Sequence, residues 1–448
     1  MILIQIKNNC VIIIKKRGVN LKKSQYNVLK TVNGKKYVYN TLSGLIAELD
    51  EKTYNYISEK NIKLPKEEIQ NLYDAGLLID NDIDERIILN LNHLKSQFDN
   101  KTLGLVIAPT LACNFACPYC FENRINKKMS EAVQDKIIEF VEQHAESGTK
   151  ILDVTWYGGE PLIFPDVIDG ITSRIRPILK KYNMAFKAYI ITNGYLANEK
   201  NIDVFLKNNI KGAQITIDGT PDIHNQRRIL NNGAPTFDII VNNIKILLKN
   251  NINITIRINV DKTNETELEN LLKILNKEKL NKCNVVLGQV QSFTRVCKSI
   301  ESTCVNKFEF RLLEYKFAGL LEKYNFKNPY AKIELYKKNI YCGALRRDYY
   351  VIDAEGFAYK CWNDISFEEK TVLKLGEKQT KQMLMNEAKY LTNNPFNNKI
   401  CYQCIELPLC QGGCPFMEVA NNKLCEENSK IFDKCIEFNV IKNEEKVK

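Results

Sequence analysis

Three cysteines stand close together in the segment TLACNFACPYCFE, at Cys113, Cys117 and Cys120. Their spacing places three thiols on one tight loop, with no fourth cysteine or histidine nearby. A structural zinc site needs four ligands and would be incomplete here. A four-iron cluster with one open iron fits three thiolates better, because that iron can bind a further ligand. The simpler alternative is three unrelated thiols or a zinc site.

A second set of cysteines crowds the last third of the chain. It comprises Cys342, Cys361, Cys401, Cys404, Cys410, Cys414, Cys425 and Cys435. A zinc ribbon requires four thiolates in two close pairs, and this set exceeds that requirement. The pattern therefore favours more than one metal centre.

The composition narrows the choice of metal. The chain has 448 residues with 15 cysteines and only three histidines, His93, His144 and His224. So few histidines leave little for mixed zinc sites, haem or histidine acid–base catalysis. No secretion signal is recognisable, so a disulfide framework is not expected. Thiolate ligands select zinc or iron–sulfur clusters.

Charge and hydropathy exclude other classes. The net charge of +11 is spread along the sequence instead of being concentrated with aromatic residues, which argues against a nucleic-acid-binding module. No apolar run is long enough for a transmembrane helix. The apolar N-terminal residues lack a basic start and a cleavage site, and they are expected to form strands. We expect a cytoplasmic enzyme without membrane or nucleic-acid partners; a non-enzymatic metal-binding protein is the alternative.

The elements that must position the first cysteines alternate regularly. Strand-like runs cover residues 105–110, 153–157, 187–192, 212–218, 253–259 and 284–290, with helical periods between them and a last helix over 306–324. Six such units predict an α/β fold with a parallel sheet, either doubly wound or a partial barrel. Functional loops leave the carboxyl ends of such strands, where the cysteine loop begins.

The regions before and after these alternating strands and helices have different sequence patterns. Residues 1–95 read as a small α+β domain, with strands over 2–14 and 36–40, a helix capped by Asp50, and a second helix within 65–76. The division expected from the sequence is 1–95, 103–325 and 340–440. The last region contains the second set of cysteines and a hairpin around Gly356.

Glycines and polar residues recur where the predicted strands end. Tyr157 is followed by Gly158, Gly159, Glu160 and Pro161. Two adjacent glycines allow the backbone to approach a ligand closely. Further candidates end the next strands and are Asn193, Thr216, Asp218 and Arg257. Each is weak alone, since polar residues before glycine are common at strand ends.

Together these motifs resemble the radical S-adenosylmethionine (SAM) superfamily, whose signature has this cysteine spacing with an aromatic residue, here Tyr119, before the last cysteine. The resemblance implies a partial (β/α)6 TIM-like barrel and a SAM-binding [4Fe–4S] cluster on Cys113, Cys117 and Cys120. It also implies contacts to SAM, listed as Tyr119, Gly158, Gly159, Glu160, Pro161, Asn193, Thr216, Asp218 and Arg257. The family's GGEP motif holds the SAM amino group.

The C-terminal cysteines resemble the SPASM extension of the same superfamily, which carries two auxiliary [4Fe–4S] clusters. The resemblance implies an outer cluster on Cys401, Cys404, Cys410 and Cys435, with Cys425 as the alternative last ligand. It implies an inner cluster on Cys342, Cys361 and Cys414. One iron of this cluster then has no protein ligand, unless Cys297 or Cys304 binds it. Cys10 and Cys283 are expected to be small buried hydrophobes.

The whole chain resembles SPASM enzymes that mature ribosomally made peptides. Sulfatase-maturing relatives place an aspartate after the cysteine equivalent to Cys361, and this chain has Trp362 and Asn363 instead. The N-terminal region is similar to winged-helix-like domains that bind a leader peptide, or it is a structural cap. We therefore expect a thioether-forming enzyme with a precursor peptide and ferredoxin or flavodoxin as partners. Carbon–carbon cross-linking, epimerisation and formylglycine formation are the alternatives.

Overall fold

The computed structural model describes residues 20–58, 62–292, 294–329 and 337–417, together with 425, 432–434 and 436–437. The strands are β1 (Leu21–Lys23), β2 (Asn27–Val32), β3 (Lys35–Asn40), β4 (Ile46–Leu49), β5 (Leu78–Asp80), β6 (Thr102–Ile107), β7 (Ile151–Trp156), β8 (Ala185–Thr192), β9 (Ile210–Thr216), β10 (Asn253–Val260), β11 (Asn284–Gln289), β12 (Tyr349–Ile352), β13 (Phe357–Tyr359) and β14 (Leu373–Lys374). The helices are α1 (Glu51–Ile57), α2 (Lys66–Asp74), α3 (Glu85–Gln97), α4 (Glu131–Glu146), α5 (Pro165–Lys181), α6 (Ile202–Lys207), α7 (Pro221–Arg227), α8 (Phe237–Lys249), α9 (Leu268–Lys277), α10 (Lys307–Lys323), α11 (Lys381–Leu391), α12 (Lys399–Tyr402) and α13 (Leu407–Cys410). The strand predicted over residues 2–14 lies outside the described residues.

Contacts within the chain group it into two compact units. The first combines residues 1–96, 332–341 and 394–448, and the second combines 97–331 and 342–393. The second set of cysteines is thus divided, with Cys342 and Cys361 in the second unit and the rest in the first. The three-domain division expected from the sequence stays a prediction.

The second unit is built on one nine-stranded sheet. Its strand order is β11-β10-β9-β8-β7-β6-β12-β13-β14, and β6 to β11 are parallel throughout. Burial alternates along β7, β8 and β10, because one face packs on the crossover helices. This parallel β/α arrangement confirms the α/β fold and the partial TIM-like barrel.

The crossover helices end in a shared way. Asn183, Asn209, Asn251 and Asn325 follow α5, α6, α8 and α10, each with φ between 50° and 59°. Asparagine tolerates this left-handed conformation, which reverses the chain after a helix. The start of α4 is also stabilised by a residue close in sequence. The Ser130 side chain accepts a hydrogen bond from the Val133 amide there.

The antiparallel strands extend the sheet beyond β6. β12 pairs with β6 in parallel, and β13 and β14 then add antiparallel strands. Gly356, with φ of 82°, lies in the turn between β12 and β13, which confirms the predicted hairpin. The chain reaches Cys361 two residues after β13 ends.

The first unit contains a separate three-stranded antiparallel sheet of β2, β3 and β4. Asn33 and Gly34 join β2 to β3 with φ of 50° and 77°, the backbone that a two-residue hairpin turn requires. The Asp50 carboxylate accepts from the Thr53 amide at the start of α1, as predicted. α1 and α2 pack on this sheet through an apolar cluster that includes Val38 and Leu72. No helix among the described residues has the length and hydropathy needed to cross a bilayer.

Candidate active site

The first cysteine loop follows β6 and is fixed by backbone hydrogen bonds to a distant segment. The Ala116 amide donates to the Ile229 carbonyl at 2.8 Å, and the Asn231 amide donates to the Asn114 carbonyl at 3.0 Å. The Asn231 side chain adds a bond to the Cys113 carbonyl at 3.0 Å. The loop is therefore held by the chain that follows α7, more than 100 residues away in sequence.

Gly158 and Gly159 are required by the cysteine loop itself. A Cβ on Gly158, whose φ is 108°, would lie 2.3 Å from the Thr110 carbonyl oxygen. A Cβ on Gly159 would lie 2.3 Å from the Ala112 oxygen. The sequence predicts that the backbone of these glycines approaches a ligand. In the structure the groups they approach are carbonyls of the cysteine loop. The glycine pair thus sets the position of the three cysteines.

Glu160 ties neighbouring strand ends together. Its carboxylate is fully buried and accepts from the Leu162 amide at 3.0 Å, the Thr192 hydroxyl at 2.8 Å and the Asn193 amide at 2.7 Å. Burial raises the pKa of this carboxyl, against the effect of those hydrogen bonds. The Glu160 side chain thus joins the end of β7 to the end of β8.

A cavity of about 430 Å³ opens at the carboxyl ends of the parallel strands. Its volume is within the usual range for small-molecule sites. Cys113, Cys117 and Cys120 all line it. So do six of the sequence-predicted SAM contacts, namely Tyr119, Gly158, Gly159, Asn193, Thr216 and Arg257. Glu160, Pro161 and Asp218 lie outside the described lining of this cavity.

Asp218 acts on the cavity through Tyr119. The Tyr119 hydroxyl donates to the fully buried Asp218 carboxylate, whose other oxygen accepts from the Asn259 amide at 2.9 Å. Arg227 lies over the Tyr119 ring at 5.0 Å and pairs with Asp261 at 2.9 Å. This network fixes the aromatic ring between the second and third cysteines.

Arg228 is a site residue that the sequence reasoning missed. It lines the cavity, donates to the Tyr119 hydroxyl at 2.8 Å, and has a buried Nε without a hydrogen-bond partner among the described residues. Its guanidinium also lies 5.4 Å from the centre of the Phe115 ring. A buried guanidinium beside the cysteine loop suits a carboxylate such as that of the methionine part of SAM.

The three thiols are set in a low-polarity environment. Burial raises the pKa of Cys113 to about 12 and that of Cys120 to about 11, with Glu160 and Glu122 adding smaller effects. Such thiols are neutral until a metal centre compensates for the thiolate charge. Their common loop, their shared cavity and the nearby Arg228 fit a thiolate-bound cluster. Within the described residues, no three metal-ligating side chains surround a single ion position.

Two residues that follow Cys361 reach the same cavity. Trp362 and Asn363 line it together with residues of the cysteine loop. The centre of the Trp362 ring lies 4.7 Å from the centre of the Tyr157 ring. Asp364 is the next carboxylate in the sequence. It lies outside the described cavity lining and accepts a hydrogen bond from the Tyr390 hydroxyl at 2.5 Å. Glu122 is the one carboxylate among the described lining residues.

Comparison with known families identifies the domain that contains this cavity. Residues 107–275 match the model of the radical SAM superfamily. Residues 107–275 thus form a radical SAM domain. Such a domain implies a [4Fe–4S] cluster and SAM, and the residues described above fit both groups.

Three known proteins show how far the similarity extends. The cysteine-type anaerobic sulfatase-maturating enzyme of Clostridium novyi is 25% identical over 374 residues, which cover 75% of this chain and 96% of that enzyme. The radical SAM cyclopropyl synthase TigE of Paramaledivibacter caminithermalis is 21% identical over 262 residues, or 50% of this chain and 54% of that enzyme. The solved structure of native anSMEcpe with bound AdoMet and Cp18Cys peptide has a TM-score of 0.59 at 17% identity, covering 76% of this chain and 99% of that one. The last comparison confirms the fold.

The second unit also contains Cys342 and Cys361. Both thiols act on the pKa of Tyr349, which burial raises most strongly. The Tyr349 hydroxyl accepts from the Trp362 indole at 2.5 Å. Cys361 additionally acts on Tyr390. These two half-buried cysteines are thus within electrostatic range of one tyrosine.

In the other unit, Cys401 lies in α12 and Cys410 ends α13, while Cys404 and Cys414 lie in the irregular segments after these helices. Gln411, Gly412 and Gly413 all have positive φ between 49° and 82°, and a Cβ on Gly412 would lie 2.9 Å from the Pro395 side chain. Burial raises the pKa of Cys401 to about 11, with Cys410 and then Cys425 adding to the effect. Cys425 is therefore close to this group, whereas Cys435 and Cys10 lie outside the described residues.

Cys297, Cys304 and Cys283 belong to the unit that contains the nine-stranded sheet. Cys283 belongs to the barrel core, as expected from its sequence context. Cys297 is fully buried, and its thiol contacts the Thr294 carbonyl at 3.4 Å. Cys304 lies close enough to act electrostatically with Cys297. Their proposed contact with an auxiliary cluster stays a prediction.

Proposed function

We propose that this radical SAM protein matures a ribosomally made precursor peptide by forming a thioether between a cysteine sulfur and a carbon of the same peptide. The observation that carries the proposal is the position of Trp362 and Asn363, which follow Cys361 directly and line the cavity of Cys113, Cys117 and Cys120. A peptide in this cavity would lie beside Cys113, Cys117 and Cys120 and beside the residues that follow Cys361. That arrangement suits a reaction that uses a SAM-derived radical and an auxiliary cluster on one substrate.

Each part of the cavity has a defined role in this proposal. Cys113, Cys117 and Cys120 hold the SAM-binding cluster, and Arg228 binds the SAM carboxylate. Tyr119, fixed by Asp218, closes one wall of the cavity. When bound, the cluster and SAM provide the 5′-deoxyadenosyl radical. The cavity walls exclude water, which protects a carbon radical from quenching.

The auxiliary cysteines complete the proposal. We assign Cys342, Cys361 and Cys414 to an inner cluster, and Cys401, Cys404 and Cys410 to an outer one. The fourth outer ligand is Cys425 or Cys435, and the proximity of Cys425 to Cys401 favours the former. Thioether formation removes a hydrogen atom from carbon and a proton and an electron from the thiol. Cys342, Cys361 and Cys414 would hold the inner cluster as the acceptor of that electron. A ferredoxin- or flavodoxin-type donor would supply the electron that the reductive cleavage of SAM requires.

The N-terminal part of the first unit is proposed to bind the leader of the precursor. Its three-stranded sheet has the order β2-β3-β4, so β2 and β4 are its outer strands. A peptide that adds as a further strand binds mainly through backbone hydrogen bonds. Because radical chemistry and cluster thiolates are sensitive to oxygen, we also propose an anaerobic, cytoplasmic setting.

Formylglycine formation is the second candidate, favoured by the likeness to the Clostridium novyi enzyme over 75% of this chain. Its chemistry requires a base near the substrate cysteine. Trp362 and Asn363 cannot serve as that base, and Asp364 is engaged by Tyr390. Glu122, which lines the cavity, is the carboxylate that would have to take this role. Carbon–carbon bond formation is a third candidate, suggested by the cyclopropyl synthase likeness.

The test begins with anaerobic reconstitution of the full chain. We expect about twelve irons per chain, falling by about four when Cys113, Cys117 and Cys120 are replaced by Ala. The same variant should no longer form 5′-deoxyadenosine from SAM, whereas Cys283→Ala should retain both properties. A chain that holds zinc, takes up no iron and leaves SAM intact would contradict the enzyme proposal.

Product analysis then separates the candidates. The enzyme is co-expressed with a cysteine-containing precursor peptide encoded beside its gene. A thioether removes two hydrogens and one thiol that alkylating reagents can modify. Formylglycine instead removes sulfur and adds an aldehyde that reacts with hydrazides, and a carbon–carbon link keeps every thiol reactive. Either of the last two products would replace the thioether proposal.

A further inference from the structure

Arg257 lines the cavity from β10, and its guanidinium is held by a neighbour on the same strand. The Arg257 Nε donates to the Asn259 side-chain oxygen at 2.8 Å. Both residues line the cavity and lie on the half-buried face of β10, whose other face packs in the core of the second unit. A guanidinium has five N–H groups in one plane, of which this bond uses one.

Gly288 of the neighbouring strand β11 makes the space in which this guanidinium lies. A Cβ on Gly288 would be 2.3 Å from the Arg257 Nη2 atom and 2.4 Å from its Cζ and Nε atoms. These nearly equal distances place the plane of the guanidinium over the glycine. Gly288 belongs to an extended strand and lacks a positive φ, so its backbone does not itself require glycine. Any side chain at this position would displace the guanidinium.

Arg257 and Arg228 are held by different parts of the fold. Arg228 donates to the Tyr119 hydroxyl, and backbone hydrogen bonds at residues 229–231 join its segment to the cysteine loop. Arg257 is held by β10 and β11, at the opposite end of the parallel strands from β6, which leads into that loop. Arg228 suits the SAM carboxylate, and Arg257 is therefore a second guanidinium that can bind a carboxylate in the same cavity.

The charged side chains of the cavity favour a substrate that brings a carboxylate. The described lining residues include three arginines, Arg124, Arg228 and Arg257, and one carboxylate, that of Glu122. SAM has one carboxylate together with two positive groups, its ammonium and its sulfonium, so SAM alone does not balance the arginines. A negatively charged substrate group would reduce this excess of positive charge, and charge complementarity favours its binding.

We propose that Arg257 binds a carboxylate of the peptide substrate, from an acidic side chain or from the C-terminus, and so determines which part of the peptide enters the cavity. The inference rests on the proposed function for the substrate being a peptide. Two parallel N–H···O bonds between a guanidinium and a carboxylate fix orientation as well as distance. Gly288 and Asn259 are positioning residues, because they act through the guanidinium.

The test uses the reconstituted full chain and the precursor peptide encoded beside its gene, prepared in three forms. The first is unchanged, the second has Asn and Gln in place of every Asp and Glu after the leader, and the third ends in a carboxamide. The kcat/KM for product formation is measured by mass spectrometry. We expect the wild type to lose about tenfold to hundredfold on one neutralised peptide, which identifies the source of the carboxylate. Arg257→Met should have one reduced value for all three peptides.

Gly288→Ala tests the geometry without removing the arginine. Its Cβ should displace the guanidinium, because the extended backbone accepts alanine and the side chain of Arg257 can move. We expect a loss in kcat/KM close to that of Arg257→Met, and no further loss when the two substitutions are combined. A further loss in the combined variant would exclude Gly288 as a positioning residue for Arg257. Arg174→Met, which removes an ion pair with Asp135 at 2.7 Å, is the control and should keep wild-type values.

SAM binding separates this role from a contact with SAM. Iron content, SAM affinity and 5′-deoxyadenosine formation without peptide should stay near wild-type values in Arg257→Met and Gly288→Ala. A loss of SAM affinity in Arg257→Met as large as that in Arg228→Lys would make Arg257 a SAM contact and overturn the proposal. Equal kcat/KM of the wild type on all three peptides would also overturn it. A wild type that cleaves SAM but leaves the unchanged precursor unmodified would contradict the proposed function itself, and this inference with it.

Discussion

The two groups of closely spaced cysteines in this chain differ in how they are held. The loop of Cys113 to Cys120 is fixed by distant residues: its carbonyls pack on Gly158 and Gly159, and it exchanges backbone hydrogen bonds with residues 229–231. The segment of Cys401 to Cys414 combines local bonds, such as Cys404 amide to Cys401 carbonyl at 3.0 Å, with single bonds to distant residues, such as the Thr41 hydroxyl to the Ile405 carbonyl at 2.6 Å. The first geometry therefore depends on the assembled sheet, and the second depends on local turns that a few distant contacts support.

The largest effect is expected where that distant support is removed. Gly159→Ala would place a Cβ 2.3 Å from the Ala112 oxygen, so the cysteine loop must move. We expect a loss of about 3 kcal/mol in the free energy of unfolding and loss of the SAM-binding cluster, with about four fewer irons. Iron analysis and chemical denaturation measure both effects.

Gly319 provides the matched control for that substitution. It lies inside α10 with open space around its Cα, so Gly319→Ala should stabilise the chain slightly and leave iron content unchanged. Normal SAM cleavage by Gly159→Ala would show that the loop does not depend on the glycine pair.

The second prediction concerns the segment of Cys401 to Cys414. Cys425→Ala should lower the iron content by about four while 5′-deoxyadenosine formation continues, because Cys425 acts on Cys401 in the other unit. Cys283→Ala, in the barrel core, should keep all irons. Iron and sulfide counts decide the matter, and an unchanged count in Cys425→Ala would assign the ligand role to Cys435 instead.

The third prediction distinguishes two arginines of the cavity. Arg228→Lys should weaken SAM binding by roughly tenfold to a hundredfold, because a lysine cannot replace the bidentate guanidinium. Arg257→Lys should have a smaller effect, since the Arg257 Nε is already bonded to Asn259 at 2.8 Å. Equilibrium binding of SAM to the reconstituted chain measures both. An equal or reversed order would assign the carboxylate to Arg257.

The smallest effect is expected at His93, which contacts the segment of Cys401 to Cys414. Its Nδ1 lies 3.2 Å from Gln411 and 3.1 Å from the Asn339 carbonyl, and burial lowers its pKa from the ordinary value of 6.5. Because the folded state favours neutral His93, its contribution to stability is present above pH 6.5 and is lost as the pH falls through the lowered value.

The measurement is thermal unfolding between neutral and acidic pH. His93→Gln should cost about 1 kcal/mol at neutral pH and should reduce the acid sensitivity of the chain. His144→Gln, in the last turn of α4, is the control and should behave like the wild type. Unaltered acid sensitivity in His93→Gln would exclude this histidine as its source.

Much of the framework was predictable from local sequence. The alternation of periods identified the six strands β6 to β11, and Asp50 and Gly356 were correctly read as a helix cap and a turn. β2 was missed, although Asn33 and Gly34 are typical of a two-residue hairpin turn. Its alternating pattern is weak because most of its residues are only half-buried.

The residues of the cavity were harder to predict, because the role of each one depends on which residues it contacts in the folded chain. Arg227 and Arg228 are adjacent and chemically identical, yet one pairs with Asp261 and the other faces the cysteines. Glu160 is predicted to contact SAM, and in the structure its carboxylate bonds the ends of two strands. Its contact with SAM stays a prediction. Only the tertiary arrangement separates such residues, since sequence spacing does not specify which face meets which neighbour.

The pairing of β12 with β6 has a consequence for partial unfolding. β6 leads into the loop of Cys113 and is hydrogen-bonded on both edges, by β7 and by β12, which leads through its hairpin to Cys361. Strands joined in this way tend to open as one cooperative unit in native-state hydrogen exchange. Their amides should therefore exchange together and slowly. Heat would then displace Cys113, Cys117, Cys120 and Cys361 in the same event.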